Sequence, residues 1–316
     1  MRIELAPMEG ITTFIYRNVF AKYYGGVDTY YCPFISTHQH KSLNHKEINE
    51  ILPEHNIGIN MIPQVMTNNF EDFIYTVNQI TEYGYDHINL NFGCPSGTVT
   101  SKNKGSGILV YPEMVEKLLD DIFTKTDLKI SVKTRIGYAE EAEWKRLAQI
   151  YAKFPLEELI IHARLREDFY NDVLRLDAIS ETLPMLSEKF PLSYNGNIYS
   201  DADLQKTLGI FSDWEAVMLG RGVITDPSLA KRIKNEDTNG KFDIDSFKKF
   251  NMDIVNGYAE IMSGDKDPLF KVKELWFYMG ALIEDASIVK KIKKTKTINE
   301  FEAIINSIQI NNFFTN

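Results

Sequence analysis

Cysteine is nearly absent from this chain: Cys32 and Cys94 are the two in 316 residues. Two thiols cannot form a disulfide framework, and neither stands at a metal-ligand spacing, so a stapled secreted scaffold and a cysteine-based metal site are both disfavoured. A reduced, cytosolic protein is the expectation. Long apolar runs are missing as well. None approaches the ~20 residues that a membrane span needs, and the sequence opens in a strand-like stretch rather than a leader. Basic residues are not in excess either: 35 Lys and Arg stand against 44 Asp and Glu, a formal charge of −9. That balance argues against a general nucleic-acid coat, which depends on concentrated cations, but it leaves room for a local basic surface. The first apolar run ends in Pro7-Met8-Glu9-Gly10, without the glycine-rich turn that opens a doubly wound dinucleotide-binding sheet.

What is present is an alternation of strand and helix. Strand patterns fall at 4–8, 29–34, 57–66, 87–94, 129–137, 158–163, 192–198 and 216–223. Apolar residues at three-to-four spacing predict helices at 12–24, 69–83, 112–124, 139–153, 177–189 and 201–208. About eight strands with helical crossovers match an α/β (β/α)8 barrel, a TIM barrel, over residues 1–240. Beyond a linker rich in Asn, Asp and Gly at 234–241, the pattern turns all-helical, with helices expected at 247–261, 268–281, 287–295 and 298–308. The reading is therefore a barrel followed by a small helical domain at 243–316.

Chemistry in such a barrel gathers at the C-terminal ends of the strands. Here those ends are polar: Gln64; Asn89, Asn91 and Cys94; Lys133 and Arg135; His162, Arg164 and Arg166. Asn195-Gly196-Asn197 and Gly220-Arg221-Gly222 then occupy the seventh and eighth strand ends. Those positions often bind phosphate, glycine allowing close approach of backbone N–H groups and arginine offering a donor fork. Asp226 is expected to cap the helix that follows. Cys94 sits between Gly93 and Pro95, so its sulfur is positioned. A nucleophile, a ligand and a space-filling thiol all remain open for it. Lys133 can stabilise negative charge on a ring or pair with a carboxylate, and His162 can donate to an oxygen or fill the core.

Taken in order, Leu5-Ala6-Pro7-Met8-Glu9-Gly10-Ile11-Thr12, Gln64, Asn89-Leu90-Asn91-Phe92-Gly93-Cys94-Pro95, Lys102 with Gly105-Ser106, Val132-Lys133-Thr134-Arg135, His162-Ala163-Arg164, Asn195-Gly196-Asn197 and Gly220-Arg221-Gly222 resemble the tRNA-dihydrouridine synthases. The likeness spans the expected barrel, and the stretch around Lys271-Val272-Lys273-Glu274-Leu275-Trp276 resembles that family's C-terminal RNA-binding domain. The opening Pro7-Met8-Glu9-Gly10 and the chain length are similar to the bacterial C-type subfamily.

The resemblance implies an FMN-dependent oxidoreductase that takes electrons from NADPH and reduces the C5–C6 double bond of D-loop uridine in tRNA. It places Pro7, Met8, Glu9, Gln64, Lys133 and His162 against the flavin. Asn195, Gly196, Asn197, Gly220 and Arg221 fall at the phosphate turns, and Cys94 becomes the acid that protonates C5. Asn91, Arg164, Arg166, Lys271 and Lys273 become candidates for uracil or RNA contacts, and no metal is called for. A monomer is the default. Departures from the family pattern are Thr13 for an aspartate, Asn197 for an acidic residue, Ala163 for a glycine, and Cys32 where a glutamate is common. Cys32 also raises the question of a second thiol at the mouth. Two other readings stay open: an FMN barrel enzyme acting on a small molecule of the dihydropyrimidine or dihydroorotate type, and a tRNA-binding protein without catalysis.

Overall fold

A computed structural model describes residues 1–38, 41–171, 173–234 and 242–313. Its strands run in one direction as a single parallel sheet of ten segments. Two of the strands are broken in two, which reduces ten segments to eight strands. The first is Arg2–Leu5; the second is Thr29–Tyr31 continued by Ile35–Ser36; the third is Met61–Ile62 continued by Gln64–Met66. His87–Phe92, Lys129–Gly137, Glu158–Leu165, Leu192–Asn195 and Ala216–Leu219 follow. Each break holds a proline, Pro33 or Pro63, which has no N–H to give to the ladder. The first strand pairs with both the second and the eighth, Leu5 lying beside Tyr30 and Leu219, so the sheet closes. The expected TIM barrel is the observed fold, with the helical region behind it.

Strand periodicity explains what fills the barrel. Ile88, Leu90 and Phe92 are fully buried against the surrounding helices, whereas Asn89 and Asn91, one step out of phase, turn inward. A small apolar layer of Ala6, Tyr31, Ile62, Ile160 and Met218 packs inside. Below it Ser193 donates to Glu4 at 2.7 Å and Tyr31 to Glu158 at 3.0 Å, with Arg2 pairing Glu158 from the rim.

The helices follow their apolar spacing. In Phe70–Thr81 the buried residues Phe73, Val77 and Ile80 form one stripe, and the Asn69 side chain caps the start by accepting from Asp72 N–H at 2.8 Å. Three expectations shift. The helix expected over 177–189 is two short ones, Leu176–Ser180 and Leu183–Ser187, because Pro184 cannot continue a helix and sits in the first turn of the second. Helix His45–Ile51 was not anticipated, although its capping box of Asn44 and Glu47 was legible. The eighth strand stops at Leu219, with a helical turn starting directly at Arg221.

The last region holds Ile244–Ile261, Lys266–Met279, Ala286–Lys294 and Ile298–Ser307. Of the linker expected at 234–241, residues 235–241 lie outside the described residues. Helix Ile244–Ile261 packs on Phe14–Tyr23 of the barrel. Phe250 meets Tyr16 and Tyr24 edge-on, Tyr258 bonds Thr13 at 2.7 Å, and Gly257 leaves no room for a methyl, since a Cβ there would lie 2.9 Å from Ile15. Thr13, one of the departures noted above, thus joins barrel to tail. A continuous apolar cluster runs through both.

Burial, and then the neighbouring Glu158, hold the Glu4 carboxyl well above the usual carboxylate range. A raised acid loses its stabilising contribution as pH rises through its folded value. Glu4→Gln is therefore expected to flatten the decline in melting temperature on the alkaline side of the ordinary carboxylate range. An unchanged slope in the variant would assign that decline elsewhere.

Candidate functional site

A cavity of about 500 Å³ opens at the C-terminal ends of the strands. Ala6, Pro7, Met8 and Glu9 line it from the first strand end, and Asn91, Gly93 and Cys94 from the fourth. Lys133 and Arg135 enter from the fifth, His162 and Arg164 from the sixth, Asn195 and Gly196 from the seventh, Gly220 and Arg221 from the eighth. Tyr170 of a loop and Phe277 and Tyr278 of the tail complete the wall.

The Cys94 turn is built by amides. The Asn91 side-chain oxygen accepts from the N–H groups of Gly93 and Cys94, each at 3.0 Å. Its NH2 donates to Gln64 at 2.7 Å, Gln64 donates to Asn89 at 2.7 Å, and Asn89 donates to Ser131 at 2.8 Å. On the other side Ser106 donates to the Cys94 carbonyl from its backbone N–H at 3.0 Å and its hydroxyl at 2.8 Å. Gly105 permits that approach, with φ +57° and no space for a Cβ, which would fall 2.8 Å from Cys94 O. Burial pushes the Cys94 thiol above its ordinary value, against the lesser opposing effects of the Ser96 N–H and Arg135. The group is a thiol at neutral pH.

Opposite the apolar first strand end stand the cations. Lys133 donates to Asn195 at 2.8 Å, and burial, followed by Arg135, brings it down to about 7. His162 is held well below its usual value by burial and by Arg135, Lys133, Arg164 and Arg221 in turn. Arg164 Nη1 lies 2.6 Å from His162 Nε2, and a guanidinium only donates, so the imidazole is neutral with its proton on Nδ1. Arg164 and Arg221 also converge on the Asn197 side-chain oxygen, at 2.9 and 2.7 Å. Three arginines, joined by Lys133 in its protonated form, suit an anionic ligand.

Most of the residues singled out from sequence meet here: Pro7, Met8, Glu9, Asn91 and Cys94 on one side, Lys133, His162, Arg164, Asn195, Gly196, Gly220 and Arg221 on the other. Others do not line the cavity. Gln64 is fully buried behind Asn91, and Asn197 sits beneath the two arginines. Arg166 lies over the Tyr138 and Phe169 rings. Lys271 pairs with Glu274, and Lys273 donates to Thr295 O. Glu9 carries an ion pair with Lys46 at 2.8 Å. Cys32 is not at the mouth: it is fully buried, accepts from Gln64 N–H at 3.3 Å, and burial raises it to about 12. Asp226 does not cap the next helix; its carboxylate accepts from Ser228, the residue at that helix's start, and pairs with Arg232.

Arg135, expected at the polar end of the fifth strand, is at the cavity in the inward phase of Lys133 two residues earlier. Other contributors are not anticipated from the sequence. Tyr170 lies in a loop without periodicity. Phe277 and Tyr278 follow directly on the Lys271–Trp276 stretch expected to face RNA, yet they form part of the cavity wall.

Fold and site together define a TIM barrel with a thiol and a cationic cavity at its C-terminal mouth. The family model described as dihydrouridine synthase (Dus) matches residues 4–296, and the chain belongs to that family. A "Probable tRNA-dihydrouridine synthase" of Staphylococcus aureus is 26% identical over 318 residues, covering 96% of this chain and 92% of that one. A "tRNA-dihydrouridine(16) synthase" of Neisseria meningitidis is 25% identical over 321 residues, covering 98% and 95%. Among solved structures, DHODH of Eimeria tenella aligns with a TM-score of 0.48 at 12% identity, over 75% of this chain and 80% of that one.

The floor of the eighth strand end tolerates no side chain: a Cβ on Gly222 would lie 1.9 Å from the Ile198 carbonyl oxygen. Gly222→Ala is expected to cost more than ~1–3 kcal/mol, the usual range for overpacking, since backbone must move. Denaturant unfolding measures it, and a variant with wild-type stability would contradict the close approach.

Proposed function

We propose that this protein is a tRNA-dihydrouridine synthase that reduces the C5–C6 double bond of D-loop uridine, using FMN as its flavin and NADPH as electron donor. The observation that carries the reading is Cys94, held as a neutral thiol at a cavity whose other side is cationic. The cavity volume lies within the range of cofactor sites. The lining fits FMN: Pro7, Met8, Glu9, Lys133 and His162 would hold the flavin ring, and Asn195, Gly196, Gly220 and Arg221 would hold the phosphate. Asn197 aligns Arg164 and Arg221, and Gln64 acts behind Asn91. When bound, FMN supplies the hydride that adds at C6 of the uracil.

The chain's own groups do the rest. Cys94 gives its proton to C5, a task that requires thiol rather than thiolate. Asn91 fixes the Cys94 turn, and Arg164 offers charge to the uracil carbonyls. The base must leave its stack to enter the barrel mouth. In this reading residues 1–240 bind FMN, and 243–316 bind tRNA through Arg166 of the barrel together with Lys271 and Lys273. The exposed Lys290, Lys291, Lys293, Lys294 and Lys296 reconcile an acidic chain with an RNA substrate. Among the described residues no helix is long and apolar enough to cross a membrane. The proposed place of action is the cytoplasm, where tRNA is found.

Purified holoenzyme is expected to be yellow, and unmodified tRNA should reoxidise its reduced flavin while uridine and orotate, which also carry an intact C5–C6 double bond, do not. Reoxidation by the small molecules alone would favour the small-molecule reading. Cys94→Ala is expected to keep the flavin and lose dihydrouridine formation by about 10²–10⁴-fold, the usual contribution of a general acid. Full activity in that variant would remove Cys94 from the chemistry.

Charge reversal at Lys271 and Lys273 tests the tail separately. Affinity for tRNA should fall, and so should the slope of log K against log salt. A slope identical to wild type would place the RNA on another surface.

A further inference from the structure

Arg135 has no part in the reaction described above, yet its side chain is fully buried at the cavity mouth. It lies on the fifth strand just before the register shift against the sixth, between Arg135 and Gly137. All three kinds of nitrogen on its guanidinium group donate to backbone carbonyls. Nε reaches Gly93 O at 2.9 Å, Nη1 reaches Leu165 O at 2.7 Å, and Nη2 reaches Phe169 O at 2.7 Å. The first of these carbonyls immediately precedes Cys94. The other two bracket the turn at Arg166–Asp168, which leads into Tyr170.

The Tyr170 loop is held under restraint. Phe169 adopts φ +47° and ψ −108°, a conformation rare for a residue with a side chain. Arg175 pins the turn by pairing with Asp168 through two bonds of 2.8 Å. Beyond Phe169, the Tyr170 ring lies 5.5 Å from the Arg135 guanidinium and 5.7 Å from that of Arg221, and 57% of the residue is exposed at the mouth. Asn91 and Ser106 fix the Cys94 turn from the fourth strand and the segment after it. Arg135 ties it to the loop after the sixth.

We infer that Arg135 is a positioning residue that couples the Cys94 turn to the Tyr170 loop, so that substrate settling against Tyr170 sets how the thiol is presented. The catalytic consequence rests on Cys94 being the proton donor; the mechanical coupling does not. A lysine keeps the charge at this position but cannot reproduce a planar fork on three carbonyls.

The test reads alkylation of Cys94 by iodoacetamide in the flavin-loaded holoenzyme, with Cys94→Ala reporting any background from buried Cys32. Three variants are compared with wild type: Arg135→Lys, Phe169→Gly and the double variant. Arg135→Lys is expected to keep its flavin, to alkylate at least about threefold faster at fixed pH, and to lower kcat for tRNA more than it raises KM. Phe169→Gly relieves the positive φ and leaves the arginine in place; it should change alkylation in the same direction. The double variant should be non-additive. Wild-type alkylation in both single variants, or strictly additive effects, would overturn the coupling. If Arg135→Lys fails to fold, Phe169→Gly decides alone: a wild-type alkylation rate there rejects the inference. Full tRNA reduction by Cys94→Ala would instead refute the proton-donor reading, leaving the alkylation result to stand or fall separately.

Discussion

One side-chain amide organises the site. The Asn91 oxygen takes up two successive backbone N–H groups, those of Gly93 and Cys94, and so closes the turn that presents the thiol. That oxygen points correctly because the other end of the amide is committed to Gln64, which is committed to Asn89, which ends on Ser131. A buried amide without partners costs about 1–3 kcal/mol, so each link fixes the orientation of the next. The chain crosses the third, fourth and fifth strands. Slipping any of them by one residue would turn these groups outward and apolar ones inward, so the polar network and the strand register specify each other.

The same barrel end holds like charges at some cost. Lys133, Arg135, Arg164 and Arg221 face one cavity, and burial lowers the first three from their usual values, Arg135 to about 10. The cost is offset locally by Asn195, the carbonyls of Gly93, Leu165 and Phe169, and the shared oxygen of Asn197. A neutral side chain at Asn197 can serve both arginines, whereas an acidic one would neutralise part of the charge available to a ligand. Asparagine at this position therefore keeps the mouth more cationic.

Periodicity made the barrel readable. Strand phase separated Ile88, Leu90 and Phe92 from Asn89 and Asn91, and the run around Cys94 identified the strand end that carries the thiol. Local chemistry hid other features. Pro33 and Pro63 divide strands whose patterns look continuous, and Pro184 divides a helix whose apolar spacing does not. Residues that act through a neighbour were also hard to place. Gln64 and Asn197 look like ligand contacts from their positions, and only three-dimensional bonding puts them behind Asn91 and beneath the two arginines. Tyr170 has no periodic signal at all, because the conformation at Phe169 aims it.

The tail also finishes the cavity wall. Helix Lys266–Met279 buries Leu269, Val272, Leu275 and Trp276 in the apolar cluster that the tail shares with the barrel, while Phe277 and Tyr278 reach the barrel mouth. Each helical residue advances the face by about 100°. Adding or removing one residue between Gly264 and Phe277 would therefore rotate these rings away from the mouth, or pull Trp276 from its bond to Asn251. The length of that segment works as an index setting one part of the molecule against the other. Point substitutions can vary along it more readily than the number of residues can.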